Sequence, residues 1–478
     1  MSRDPLSITR RNFVRVTAGA AGVLGTGLLS ACEPDPAGLS VSPQFAKGGG
    51  GGGKGGGQGG SARNPLRIPP TQAPTGVLTA APAEVDLGGG VRSRVWAYNG
   101  QFPGPTLVAP TGSRADMTFV NGLSHESITH WHGMIVDTPN DGHPREAVPP
   151  GGSYVYDYPI IQRASLNFYH PHPHGMTGEQ VAMGLAGAYL IRDDDEAALG
   201  LPSGPHEVPL IVRDATFDRN GNMQYKPRSG GFEGNTPLVN GTLDPALSVD
   251  TGVYRFRILN GCNARILRFA FSDGTPFVLI GNDGGFLEAS VSLSEITICP
   301  AERLDVLVDL RGHAPGTSLM LQDLNTGWDL LELTVDRSVA DGTAIPGALY
   351  PIERLTAPVR TREFSFDGMS KINGQVYDMA RVDFQVPFGE TELWRFTTNG
   401  NAPHPVHVHG AYYQVVSRSG GRARLYPWEG GWKDTVLLED GETVEILIRF
   451  DGYRGLYLMH CHKLEHEDMG MMSNFEVV

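Results

Sequence analysis

Residues 93–98 read SRVWAY, residues 115–123 read ADMTFVNGL and residues 153–160 read SYVYDYPI. Each alternates apolar with polar side chains. Turn-forming runs bound them: NGQFPGP at 99–105, APTGS at 109–113 and PPGGS at 149–153. Because side chains on a strand point alternately to opposite faces, this period of two predicts antiparallel sheets with one buried face. The signature recurs as YRFRILNG (254–261), RLDVLVDL (303–310), ETELWRFT (390–397) and TVEILIRF (443–450). No stretch sustains a helical period. The body, from Val77 onward, is therefore expected to be all-β, built from sandwich or Greek-key modules. With 63 Gly and 35 Pro, the composition favours short strands joined by turns. Breaks at 192–204 (RDDDEAALGLPSG) and 336–347 (DRSVADGTAIPG) divide the body into 73–195, 196–340 and 341–478.

The N-terminal part reads as an address. Arg10 and Arg11 in SITRRNFVR precede VTAGAAGVLGTGLLSA (16–31), a run too short to span a bilayer and suited to an export signal. The pattern resembles the twin-arginine signal, used for proteins exported already folded. Leu29-Ser30-Ala31-Cys32 resembles a bacterial lipobox, which would make Cys32 a lipid anchor. Residues 1–31 are thus expected to be a signal peptide. Residues 32–72 are expected to be a flexible tether, since Gly48 to Gly60 is interrupted only by Lys54 and Gln58. The expected address is the bacterial periplasm or cell envelope, with the protein held to a membrane through Cys32. The net charge of −14 argues against nucleic acid as a partner.

The chemistry lies in histidines. The chain has 15, and chance would supply about one His-x-His pair in two chains of this length. Five are present, in four clusters: HWHG (130–133), YHPHPHG (169–175), HPVHVHG (404–410) and HCHKLEHEDMGMM (460–472). On a strand, each His-x-His aims two imidazoles at one site. In HCH, His460 and His462 face one way and Cys461 the other, so one strand can serve two metal centres. Thiolate, imidazole and thioether together select copper, and His404, Cys461, His466 and Met471 supply that set.

In order and spacing these clusters resemble those of the multicopper oxidases, the family of laccases, bilirubin oxidase and bacterial copper-efflux oxidases. The resemblance extends over RVWAYNGQFPGPTL (94–107), QVAMGLAGAYLI (180–191), RILNGCNAR (257–265), KINGQVYDM (371–379) and GWKDTV (431–436). It implies three cupredoxin domains, copper in the first and third, and four copper ions. By matching position, the type-1 ion takes His404, Cys461, His466 and Met471, and the type-2 ion takes His130 and His407. The paired type-3 ions take His132, His170, His172, His409, His460 and His462. It further implies that a donor gives single electrons at the type-1 site, and that Cys461, His460 and His462 carry them to a three-copper site. There dioxygen becomes water, with Asp141 and Glu467 matching acidic positions that supply protons.

His174 falls outside this ligand set. His125, His143, His206 and His313 are expected to be ordinary surface or loop residues, and Cys262 and Cys299 buried thiols. The donor is expected to be a phenol or related aromatic molecule. Cu(I) is the alternative, and a copper-free envelope scaffold a third reading. The Met-rich insert of copper-efflux oxidases is missing: EFSFDG (363–368) runs almost directly into KINGQVYDM, with Met369 the only thioether between. Asn399, Gly400, Asn401, Ala402 and Pro403, before His404, offer neither carboxylate nor thioether. Loss of that lid is expected to open His404 and His466 to bulky donors. A monomer is expected.

Overall fold

The computed structural model describes residues 63–228, 230–398 and 403–478. The signal segment, Cys32, the Gly-rich run and residues 399–402 lie outside the described residues. The rest is all-β: six sheets paired into three sandwiches.

In the first sandwich, a four-stranded sheet runs in the order Arg92–Tyr98, Thr75–Asp86, Arg114–Asn121, Ser153–Pro159. It faces a five-stranded sheet ordered Thr71–Gln72, Thr106–Pro110, Gly187–Arg192, Ser165–Pro171, Thr129–His132. Trp131, Tyr156, Tyr158, Tyr169 and Tyr189 fill the space between. The second sandwich has two six-stranded sheets around Phe256, Phe269, Leu279 and Leu333. In the third, the sheet holding Thr391–Thr398 and Thr443–Arg449 packs on the sheet holding His404–Val408 and Gly455–Cys461. Trp394, Phe396, Phe475 and Cys461 lie in its core.

Antiparallel sheets are only part of the result. Every sheet contains a parallel pair, as where Thr75–Asp86 runs parallel to Arg114–Asn121 and Arg360–Asp367 parallel to Thr391–Thr398. Connections that cross from sheet to sheet bring strands back in the same direction, which short-range alternation does not register. One buried face is also too simple. Arg114–Asn121 alternates as read, but Val253–Asn260, which carries YRFRILN, is buried throughout. Its Arg255 and Arg257 are held inside by Glu196, Glu207 and Asp305.

The tether expected through residue 72 stops earlier. Asn64–Pro65 pairs with Pro245–Ala246 of the second sandwich, and Thr71–Gln72 pairs with Thr106–Leu107 of the first. Arg63 adds ion pairs to Asp244, Asp329 and Glu332. Residues 63–72 thus strap two sandwiches together, because their backbone groups find open sheet edges. Between the last strand of the second sandwich, Trp328–Arg337, and the first of the third, Arg360–Asp367, the chain crosses without a strand. Ile352 and Leu355 are buried along the way.

Candidate metal centres

The strands His404–Val408 and Gly455–Cys461 are antiparallel neighbours, with Val406 opposite Cys461. His466 comes from the short helix Leu464–Asp468 that follows. The Cys461 Sγ lies 3.5 Å from His404 Nδ1 and 3.8 Å from His466 Nδ1, and the two nitrogens are 3.2 Å apart. Burial, with help from Lys463, depresses His404 to about 4 and His466 to about 3, so both rings are neutral. Burial pushes the Cys461 thiol up to about 12. Two neutral imidazoles and a thiol converge here, and a soft cation would turn the thiol into a thiolate ligand. Met471 is buried beside them. Its N–H donates to the His466 carbonyl at 2.9 Å, and its carbonyl accepts from the Cys461 N–H at 3.0 Å.

Neither imidazole reaches solvent: His404 and His466 are each 0% exposed. This corrects the expectation that a missing insert opens the site. The Phe366 ring sits 5.9 Å from the His404 ring. The 376–377 segment closes over the loop between His466 and Met471, where Tyr377 N–H donates to the Gly470 carbonyl at 2.9 Å. What reaches the surface nearby is Met469 and Val376, 42% and 45% exposed.

On the other side of Cys461, eight histidines meet between the first and third sandwiches, all buried. Thr129–His132 and Ser165–Pro171 pair so that His130 lies opposite His170, and His407 lies opposite His460. His460 Nε2 is 3.3 Å from His172 Nε2 and 3.1 Å from His409 Nε2. His462 Nε2 is 3.4 Å from His170 Nε2. The His132 and His407 rings stack at 3.6 Å, and those of His130 and His409 at 3.8 Å.

Outward-facing nitrogens are pinned by oxygen acceptors. His130 Nδ1 donates to the Asp141 carbonyl at 2.6 Å and His407 Nδ1 to the Asp434 carbonyl at 2.8 Å. His409 Nδ1 donates to Asp141 Oδ2 at 2.7 Å and His132 Nε2 to Asp434 Oδ1 at 3.1 Å. Such bonds fix which nitrogen keeps its proton and which offers a lone pair. His130 Nε2, His132 Nδ1 and His407 Nε2 are left buried without a hydrogen-bond partner. Burial holds His130, His132, His407, His409 and His462 well below the usual imidazole range, which keeps them in the ligand form. Close-packed buried imidazoles with orphaned nitrogens fit metal ions and no other common occupant.

Asp141 follows the turn Thr138–Asn140, and Gly142 after it has φ +76°; a Cβ there would lie 2.1 Å from the Thr129 carbonyl oxygen. Burial raises Asp141 well above the carboxylate range. Glu467 is also buried, which raises it, but His172 and His460 outweigh burial and hold it at about 2. Its Oε2 lies 3.2 Å from His460 Nδ1 and its Oε1 lies 3.5 Å from His172 Nδ1. A narrow cavity lined by His130, His407, His409 and Asp434 adjoins, past Gly410, Ala411 and Tyr412, a wider cleft lined by Gln162, Arg163 and Trp432.

His143 is not an ordinary loop residue. It is 1% exposed, with Nε2 3.0 Å from Asn474 Oδ1, and ties the first sandwich to the last strand of the third. His125 is exposed, while His206 and His313 are partly buried beside Asp250 and Asp273. His174 is exposed and lies against Tyr377. Cys262 and Cys299 are buried free thiols. Asp434 received no role from the sequence, although the GWKDTV run around it carried the resemblance.

Sandwiches that bury a nitrogen–sulfur triangle and a cross-domain histidine cluster define a copper-binding β-protein. Family models described as multicopper oxidase match residues 79–196 and 351–478. The multicopper oxidase mco of Staphylococcus aureus is 33% identical over 395 residues, covering 80% of this chain and 84% of that protein. The cell division protein FtsP of Escherichia coli K12 is 32% identical over 421 residues, covering 81% and 86%. The McoA multicopper oxidase of Aquifex aeolicus superposes with a TM-score of 0.82 at 34% identity, over 87% of this chain and 100% of that one. A laccase-like CueO from Ochrobactrum sp., described as having oxidase activity towards lignin model compounds, gives 0.79 at 31% over 87% and 100%. The chain belongs to the multicopper oxidase family.

Proposed function

We propose that this protein is a laccase-like oxidase that takes electrons singly from phenols and related aromatic donors. Four such electrons, with four protons, would reduce one dioxygen to two waters. The observation that carries this reading is the complete donor set, with Cys461 of one site flanked by His460 and His462 of the other. His404, Cys461, His466 and Met471 would hold the type-1 ion, His130 and His407 the type-2 ion, and His132, His170, His172, His409, His460 and His462 the type-3 pair. Bound copper would supply electron acceptance at the first site and dioxygen reduction at the cluster. The chain keeps His130, His132, His407, His409 and His462 neutral by burial and excludes water. Asp141 holds a proton beside His409, Glu467 faces His172 and His460, and the cavity past Tyr412 gives dioxygen and water a route.

Because His404 and His466 are covered, the donor would dock on the apolar surface around Val376 and Met469. That surface suits an aromatic ring. A cuprous donor is the second reading, favoured by one observation: Met469 puts an exposed thioether three residues after His466. The scaffold reading is weakened by the intact ligand set. Purified copper-loaded protein should be blue and should turn over a methoxyphenol with a higher kcat/KM than Cu(I). Tight, saturable Cu(I) turnover with copper-dependent phenol activity would select the second reading, and absence of blue colour the third.

We also propose export by the twin-arginine route and anchoring through Cys32. Cys32→Ala should move the protein from the membrane fraction to the soluble envelope fraction. Unaltered fractionation would leave a plain signal peptide.

A further inference from the structure

Five charged side chains are buried where the three sandwiches meet, and none belongs to the proposed ligand set. Asp283, Glu302 and Arg303 come from the second sandwich, and Lys433 and Asp434 from the third. Arg303 forks onto Asp434: Nη1 donates to Oδ1 at 2.7 Å, and Nη2 donates to Oδ2. It also donates to the Leu166 carbonyl of the first sandwich at 3.0 Å and to the Asp283 carbonyl at 3.2 Å. One guanidinium therefore touches all three sandwiches. Asp434 Oδ1 also accepts from His132 Nε2, at 3.1 Å, and from the Thr435 hydroxyl, at 2.9 Å, and the Asp434 carbonyl accepts from His407 Nδ1, at 2.8 Å. Gly133, directly after His132, has φ +86°, and a Cβ there would stand 2.7 Å from Arg303 Nη2 and 2.9 Å from Asp434 Oδ2. The missing side chain is what lets the pair approach the histidine strand.

We propose that Arg303 is a positioning residue for the histidine cluster. By clamping the Asp434 carboxylate it makes His132 present Nδ1 inward and keeps that ring stacked on His407, whose Nδ1 the Asp434 carbonyl holds. Copper occupancy of the cluster thereby depends on docking of the second sandwich, which contributes no ligand. A bidentate fork fixes the carboxylate plane as a point charge cannot. Released from it, the Asp434 carboxylate no longer defines the orientation of the His132 ring, which stacks on the His407 ring at 3.6 Å. The inference rests on the copper reading above, and the sulfur-containing site, which Arg303 does not touch, separates the two.

The test loads the full-length protein and its variants with copper. It records copper per chain, the blue absorption, the type-2 electron paramagnetic resonance signal and the melting temperature. Arg303→Met is expected to keep the blue band and to weaken copper retention in the cluster by about 10- to 100-fold. Arg303→Lys should fall between it and the unaltered protein, with an altered type-2 signal. Lys433→Met removes the partner of Asp283 and Glu302, at 2.8 and 2.9 Å, but nothing bonded to a histidine. It should lower the melting temperature and leave the type-2 signal unchanged. Full cluster copper and an unchanged signal in Arg303→Met would overturn the proposal. So would equal copper loss in Lys433→Met, which would reduce Arg303 to a docking contact. If Arg303→Met does not fold, an unchanged signal in Arg303→Lys overturns it. A parent protein that takes up no copper and shows no blue band would sink the copper reading itself.

Discussion

The sulfur-containing site takes His404, Cys461, His466 and its neighbour Met471 from the third sandwich alone, whereas the histidine cluster is shared across the molecule. Four of the cluster's imidazoles come from the first sandwich and four from the third. Its orienting acceptors are Asp141 of the first and Asp434 of the third, and Arg303 of the second holds Asp434 in place. The first site can form once one sandwich has folded. The second exists only when three have docked. Damage to the third sandwich should therefore remove both centres, and damage elsewhere only one.

The largest effect is expected from Cys461→Ser. It should abolish the absorption at about 600 nm and the oxidase activity together, because no other thiol lies in the site. Copper in the cluster should remain, and its loss would break the separation between the two centres. The next pair of variants tests the sandwiches themselves. Trp131 and Trp394 are both fully buried, in the first and third cores. Each substitution to Ala should cost about 3–5 kcal/mol, measured by denaturant unfolding. Trp131→Ala should deplete the cluster while the blue band persists, and Trp394→Ala should weaken both. Equal loss of blue absorption in the two variants would argue that the third sandwich does not stand alone.

Smaller again is Asp141→Asn. Reoxidation by dioxygen should slow by about 100-fold, and anaerobic reduction of the blue site should be unchanged in stopped flow. Equal slowing of both half-reactions would mean structural damage. Met471→Leu should have the mildest outcome: blue colour kept, and a potential raised on the order of 50 mV, close to a tenfold change in a one-electron equilibrium. A lowered potential would remove Met471 from the ligand set.

The same contrast governs what the sequence disclosed. The histidine clusters that converge were legible, because His-x-His on a strand is a local pattern with a fixed geometric meaning, whereas their division among copper ions came from the family resemblance alone. The outer strands were legible for the same reason: Arg114–Asn121 meets water on one face and so alternates. Arg303 and Asp434 stand 131 residues apart, and no local pattern announces a contact at that separation. His143 looked like a loop residue because its partner Asn474 lies 331 positions away. Residues 63–72 read as tether, since strands of two residues carry no periodicity and exist only through the edges that receive them. The cover over His404 and His466 was invisible for a similar reason: an absent insert does not reveal what the remaining chain folds into the gap.

That cover governs exchange as well as access. With both imidazoles and Cys461 at 0% exposure, a chelator cannot reach a copper ion there while the fold stays closed. Loss of the ion would have to await an opening fluctuation of the protein. Bleaching by a strong chelator should thus rise with its concentration only at first and then level off at the opening rate. Tyr377→Ala, which removes packing from Leu458 and Met472 beside the Met471 loop, should lift that plateau without changing the colour of the loaded protein.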